Sequence, residues 1–233
     1  VLKAQILQPN LQLQTEQFIP INSPSRILVS YKNLETLDFD IYKVTPKQIE
    51  LYNSNYEPEE RAKFFKSLKP FKSFSSALKS EGDYQSHSTE LVLPKLPNGL
   101  YLIKADTKTD FNVFGSAKIQ VTNLALIEST GDTSYHYQLI NRNNGELITK
   151  TKVEMSYSQN GTKSKGRKTF TTDRFGKFKL NRDQNRYKNV VLKTTYQNDT
   201  AYFGDYYINR AYKATTERDE EKRSFLFTDR SIY

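Results

Sequence analysis

From Arg26 to Ile208 the chain is a succession of short runs of β-branched, aromatic and aliphatic residues, each closed by Pro, Gly, Asn or Asp. Leu91-Val92-Leu93 stops at Pro94, and Pro97-Asn98-Gly99 releases Leu100-Tyr101-Leu102-Ile103. Asn189-Val190-Val191-Leu192 leads through Tyr196 to Asn198-Asp199. Runs this short, bounded this regularly by turn chemistry, cannot make long helices. They must cover one face against another layer of strands. The pattern predicts an all-β chain of antiparallel β-sandwiches.

The first half is read strand by strand. Val1–Leu7 and Leu11–Gln14 are short strands, the second by its period-two alternation. Arg26–Lys32 and Phe39–Val44, connected through Asn33–Asp38, form an antiparallel hairpin, with Phe39 and Ile41 in phase and Val44 out of it. Pro46 closes that pair. Glu57-Pro58-Glu59-Glu60 supplies a helix start, and Ala62, Phe64, Phe65 and Leu68 follow at helical spacing. One short helix, about 57–68, is therefore expected, its apolar side capping an open edge of the sandwich. Residues 69–88 are polar and Ser-rich and read as a long loop. Thr89–Pro94, Leu100–Ala105 and Phe111–Val121 complete the unit. Roughly seven strands thus fall in the first 122 residues, as a two-sheet sandwich requires.

A second unit begins at Asn123 with no intervening linker, so the two are expected to abut. Its strands are Tyr135–Ile140, Val153–Tyr157, Lys168–Thr172, Lys177–Leu180, Asn189–Tyr196, Ala201–Phe203 and Tyr206–Ile208. Turns at Asn141-Arg142-Asn143-Asn144-Gly145, Asp173-Arg174-Phe175-Gly176 and Asn198-Asp199-Thr200 punctuate them. The division expected is a first sandwich over residues 1–122, a second over 123–214, and a linker with one further strand over 215–233. A length of 233 residues suits two domains of about 100–120. Hydrophobic residues make up only 36%, but 16 Tyr and 14 Phe can fill two small cores.

The composition excludes several chemistries. With no Cys there is no disulfide framework, thiolate zinc site, cysteine nucleophile or internal thioester within these residues. No apolar run reaches the length of about 18 residues that a spanning helix needs. Val1 is not an initiator Met and no signal-like segment follows it, so a targeting segment is expected to have been removed. His87 in the Ser-rich stretch and His136 among tyrosines are isolated from each other and from any spaced carboxylate cluster, so no metal site is expected. Asp199, Asp205, Asp229 and the run Asp219-Glu220-Glu221 lack calcium-loop spacing. Nothing matches a nucleophile elbow, a phosphate-binding loop or a dinucleotide fingerprint. The reading is of a chain with no catalytic residues and no cofactor.

The net charge of +9 raises the question of anionic partners. Its densest part is Lys163, Lys165, Arg167 and Lys168, followed by Arg174, Lys177 and Lys179, with Phe170, Phe175 and Phe178 between. Such a stretch can contact phosphates and stack bases. It can equally be a solvated hairpin whose charges protect an edge strand, and that is the reading preferred, without nucleic acid as a partner. Tyr196, Tyr202, Tyr206 and Tyr207 could line a sugar-binding face or simply pack a sheet with a wet edge.

The last nine residues, Phe225-Leu226-Phe227-Thr228-Asp229-Arg230-Ser231-Ile232-Tyr233, carry an apolar run into a turn and a second apolar pair, like the opening of a further domain. Phe227 to Tyr233 resembles the Thr-Asp-Arg/Lys-x-Ile-Tyr motif that opens a macroglobulin-like domain in bacterial alpha-2-macroglobulin-like proteins. Thr228, Asp229, Arg230, Ile232 and Tyr233 are the matching positions, and the Arg/Lys-Pro-Gly-Gln that completes the motif is not within the chain. Leu93-Pro94 with Pro97, Gly99 and Tyr101 is similar to the Leu-Pro…Pro-Gly-x-Tyr turn and strand late in such a domain. Thr172-Asp173 with Gly176 is similar to the Thr-Asp-x-x-Gly turn of the domain preceding the motif.

What this resemblance implies is scaffold: two consecutive macroglobulin- or fibronectin III-like sandwiches, with one short helix inserted in the first, at the front of a longer protease-trapping inhibitor. Endopeptidase inhibition would then reside in the full-length chain. Its partners would be the remaining domains of its own chain and target proteases. The resemblance also implies export to the periplasm or cell envelope, with any membrane contact made through a lipid anchor outside these residues. No thioester Cys or bait segment accompanies the motifs. The alternative from the residues alone is a cell-surface adhesion or carbohydrate-binding sandwich using its Tyr faces.

Overall fold

The computed structural model describes residues 2–79, 82–107, 110–159 and 165–211. Helix α1 (Leu2–Leu7) precedes β1 (Asn10–Thr15), β2 (Phe18–Ile19), β3 (Ser25–Lys32) and β4 (Thr36–Val44). Helices α2 (Pro46–Ser54) and α3 (Pro58–Lys66) follow, then β5 (Lys72–Ala77), β6 (His87–Leu93), β7 (Gly99–Thr107) and β8 (Asp110–Val121). A three-stranded sheet, β1-β3-β6, faces a five-stranded sheet, β2-β8-β7-β4-β5. Ile27, Val29, Leu37, Phe39, Ile41, Tyr101, Ile103 and Ile119 meet between them, none more than 1% exposed.

Five expectations for this half need correction, the last of them the placement of the helices described below. The chain opens as a helix, not a strand: Leu2 to Leu7 holds Leu, Lys, Ala and Gln, which favour the helix, at a spacing too short to show its period. β3 and β4 do not form a hairpin. β3 pairs with β1 and β6, and β4 with β5 and β7, so the connector carries the chain from one sheet to the other. Leu34, buried in the core, and Asn33, at φ 55°, sit on that crossing. Two helices, not one, are inserted. The unforeseen α2 is opened by a capping box, Gln48 N donating to Thr45 Oγ1 at 3.3 Å and Thr45 N donating to Gln48 Oε1 at 2.8 Å. Fourth, the polar stretch read as a loop contains β5. Phe74 stacks on Phe39 at 4.7 Å, and the Ser73 and Ser75 hydroxyls donate to Asp40 and Asp38 of β4.

The two helices lie on a face, not an edge. Tyr52 and Phe65 pack with Tyr42, Val44 and Leu102 on the outer side of the five-stranded sheet. This explains why Val44 falls out of phase with Phe39 and Ile41: β4 is buried on both sides, so strict alternation fails there.

The second sandwich comprises β9 (Leu124–Thr130), β10 (Ser134–Asn141), β11 (Lys152–Gln159), β12 (Lys165–Thr171), β13 (Lys177–Asn181), β14 (Tyr187–Tyr196) and β15 (Asp199–Ile208). Three strands, β13-β10-β9, face four, β12-β11-β14-β15. Tyr137, Leu139, Met155, Phe178, Leu192 and Phe203 fill the space between. The strands expected at Ala201–Phe203 and Tyr206–Ile208 are one strand, β15, whose register against β14 shifts between Val190 and Val191. The tight turn before it is made by Gln197, at φ 53°, and Asp199 already lies in the strand.

Candidate functional site

The two sandwiches meet where β8 ends and β9 begins. With Val121 the last residue of β8 and Leu124 the first of β9, only Thr122 and Asn123 pass between them. A junction so short has to satisfy its own polar groups locally, and it does so around one carboxylate. Asp199, only 9% exposed at the start of β15, accepts from Asn98 Nδ2 at 2.6 Å and from Thr122 Oγ1 at 2.7 Å. Its second oxygen accepts from the Asn123 backbone N–H at 2.7 Å. A buried carboxylate is costly unless its lone pairs are filled, and here donors fill both oxygens.

Asn98 works in both directions. Its amide also donates to the Val121 carbonyl at 2.8 Å, and its Oδ1 accepts from Thr200 N at 3.1 Å. Gln120, 4% exposed, does the same two residues further along β15. Its side-chain amide donates to the Tyr202 carbonyl at 3.0 Å and accepts from Tyr202 N at 3.0 Å, as a neighbouring peptide group would. Asn123 closes the set, accepting from Ile21 N at 2.9 Å on Oδ1 and from Arg142 N at 2.8 Å on its carbonyl.

Apolar contact accompanies the polar set. Phe18 of β2 packs against the second core, its ring 5.8 Å from that of Phe203, and the Arg142 guanidinium lies 5.6 Å above Phe18. Burial lowers the pKa of Arg142 from its usual value, with Glu16 and Asp199 opposing that shift. Beside Phe18 a crevice of about 120 Å³ opens between α2 and the outer face of the four-stranded sheet, and Glu50, which lines it, pairs with Lys165 at 3.4 Å. This arrangement can hold two sandwiches in one relation. Among the described residues of the junction, no nucleophile, base and orienting group stand in mutual reach.

The residues singled out from the sequence fall in three places. Pro97, Gly99 and Tyr101 flank Asn98, so that turn abuts the junction; the Tyr101 hydroxyl, fully buried, donates to the Pro97 carbonyl at 2.9 Å. Asp173 and Gly176 form a turn at the other sheet pair. Asp173 Oδ1 accepts from Phe175 N and Lys177 N, both at 2.8 Å, which holds its carboxyl below the usual range. Gly176 stands at φ 69°, and a Cβ there would come within 2.7 Å of the Leu139 carbonyl oxygen. Thr228, Asp229, Arg230, Ile232 and Tyr233 lie outside the described residues, as does Lys163.

The remaining candidates are dispersed. His87 contacts Asp83 at 2.9 Å and His136 contacts Ser134 at 2.9 Å. Among the described residues no group of three or more His, Cys, Asp or Glu is placed to hold a metal ion. No helix among them is long and apolar enough to cross a membrane. Phe170 and Phe178 pack together at 5.3 Å against the second core, whereas Phe175 is exposed beneath Arg174 at 4.7 Å. Lys168 is drawn into a cluster with Tyr187, at 2.8 Å, and Asp183. Tyr202 lines the inter-sandwich crevice, and Tyr196 packs against the second core.

Sequence reading missed the centre of this site. Asn98 looked like a turn residue, Asp199 like a second turn residue or a stray cation ligand, and Gln120 like an ordinary strand position, while Thr122 drew no reading. The one available signal was the missing linker at Asn123.

The architecture is that of solved macroglobulin-like domains. A crystal structure of native alpha-2-macroglobulin from Escherichia coli spanning domains MG0-NIE-MG1 superposes with a TM-score of 0.58 at 15% identity, covering 84% of this chain and 64% of that one. A second, spanning domains NIE-MG1, gives 0.54 at 14% identity and covers 85% of this chain and 97% of that one. The chain therefore spans less than two thirds of the longer fragment. No family model matches the sequence, and no curated protein matches it.

Proposed function

We propose that this chain is a non-catalytic scaffold segment of an alpha-2-macroglobulin-like protease-trapping protein, its two sandwiches acting as one fixed unit that positions domains elsewhere in a longer chain. The observation that carries the reading is the buried Asp199 cluster, because a junction tied by directed hydrogen bonds sets an angle, not merely a proximity. The fold likeness runs through both sandwiches in order and supports the same role. Inhibition would belong to the full-length chain, where cleavage elsewhere triggers the trap, and the protein would act in the periplasm or cell envelope.

The test is a protease assay on the purified 233-residue chain alongside the full-length protein. The full-length protein, preincubated with a serine protease, should block digestion of a large substrate while sparing a small chromogenic peptide. The short chain should alter neither and should hydrolyse nothing itself. Inhibition or hydrolysis by the short chain alone would contradict the scaffold role.

A further inference from the structure

The outer face of the four-stranded sheet is cationic. Strand alternation buries Val153, Met155, Val190 and Leu192 and turns Lys152, Arg167, Lys188 and Lys193 the other way. Register places Arg167 opposite Ser156, Ser156 opposite Val191, and Lys193 between Glu154 and Tyr202. Glu154 is the carboxylate on β11 there. It pairs with Lys152 at 2.7 Å, and Lys152, Lys193 and Arg167 together hold its carboxyl below the usual range. Among the described residues of these strands, Lys152, Arg167, Lys188 and Lys193 on this face outnumber Glu154.

The same face borders the crevice described above. Val191 and Tyr202 form its sheet side, and Ile49, Leu100 and Phe18 of the first sandwich the other. A notch with room for one apolar side chain thus adjoins a field of positive charge. We propose that this face docks an extended acidic segment of a partner protein, one apolar side chain seated in the crevice and carboxylates over Lys193 and Arg167. Same-face positions repeat about every 7 Å along a strand, and neighbouring strands lie about 4.8 Å apart. Acidic residues two and four positions from the anchor therefore reach those two cations. The charge complementarity gives steering and register, and the apolar anchor gives affinity.

Two other anionic partners fit less well. Phe170 and Phe178, the rings a nucleic acid strand would stack on, pack against the core. Helix α2 stands beside the face and makes it a recess, which a planar lipid surface does not enter.

Fluorescence anisotropy with a labelled peptide of sequence Gly-Phe-Ser-Glu-Ser-Glu-Gly tests the proposal. Saturable binding is expected, weakening with added salt. It should weaken roughly tenfold with Arg167→Glu plus Lys193→Glu, and similarly when the probe's Phe is replaced by Ala. Lys177→Glu plus Lys179→Glu, on the opposite sheet, should leave it unchanged, and circular dichroism should show each variant folded. Absent binding, or equal binding by the Arg167/Lys193 variant, would overturn the proposal. So would stronger binding to a thymidine oligonucleotide or to phosphatidylglycerol vesicles than to the peptide.

Discussion

Asn98 and Asp199 stand 101 positions apart in sequence and 2.6 Å apart in space, the side-chain amide of one turn donating to the carboxylate that begins β15. One residue belongs to each sandwich. Around this contact Thr122 and Asn123 supply the other donors, so the junction is a small polar core with its own internal order. Polar networks of this kind rigidify when every member is satisfied.

Replacing Asp199 with Ala should lower the unfolding free energy by about 3 kcal/mol, because the Thr122 hydroxyl and the Asn123 N–H lose their acceptor and the Asn98 amide loses one of its own. Replacing Asp199 with Asn keeps acceptor capacity but brings an amide against those donors, and should cost an intermediate amount. Urea denaturation of the two variants beside the parent checks the order. A double-mutant cycle with Asn98→Ala should show a coupling of about 1–2 kcal/mol.

Gly176→Ala should destabilise the second sandwich by about 2 kcal/mol or more. Its positive φ disfavours a Cβ, and the new atom would press on the Leu139 carbonyl oxygen. Gly145, at φ 73° but with open space around it, is the control; alanine there should cost about 1 kcal/mol. Thermal denaturation distinguishes the two.

Phe65→Ala should cost about 3–5 kcal/mol. Its ring is 2% exposed and meets Tyr52 at 5.9 Å, Tyr42 at 5.4 Å and Phe114 at 6.2 Å, so the helical layer loses its central contact. Hydrogen exchange should speed up in α2 and α3 while the inner core around Ile41 and Ile103 keeps its protection.

Alkaline pH should unfold the first sandwich. Burial pushes the Tyr101 phenol from 10.0 up to about 12, and burial with Asp40 and Asp106 pushes Tyr42 up as well. The folded pKa is above the unfolded one, so the stability linked to these groups is fully present below pH 10.0 and is lost as pH rises towards 12. Spectrophotometric titration should show these two phenols ionising after the exposed tyrosines, together with loss of near-ultraviolet dichroism. Tyr101→Phe should withstand higher pH than the parent.

Most strands were legible because period-two alternation survives wherever one face is buried and one is wet, as in Lys177 to Asn181. The alternation failed at β4, where Tyr42 and Val44 pack under the helices while Phe39 and Ile41 fill the inner core. Strand pairing was harder. Ser25–Lys32 and Thr36–Val44 are neighbours in sequence, and a connector long enough to loop back is also long enough to cross between sheets. The helix start at Thr45-Pro46-Lys47-Gln48 was legible and overlooked. The junction was not legible, because Asn98, Gln120 and Asp199 gain their meaning from pairing over 82 to 102 positions, which no local pattern records.

The central claim is that the two sandwiches form one unit of fixed relative orientation. Residual dipolar couplings measured on both sandwiches in one alignment medium test it most directly. A single alignment tensor should fit the strands of both, and Asp199→Ala should split it into two. Two distinct tensors for the unmodified chain would contradict the account.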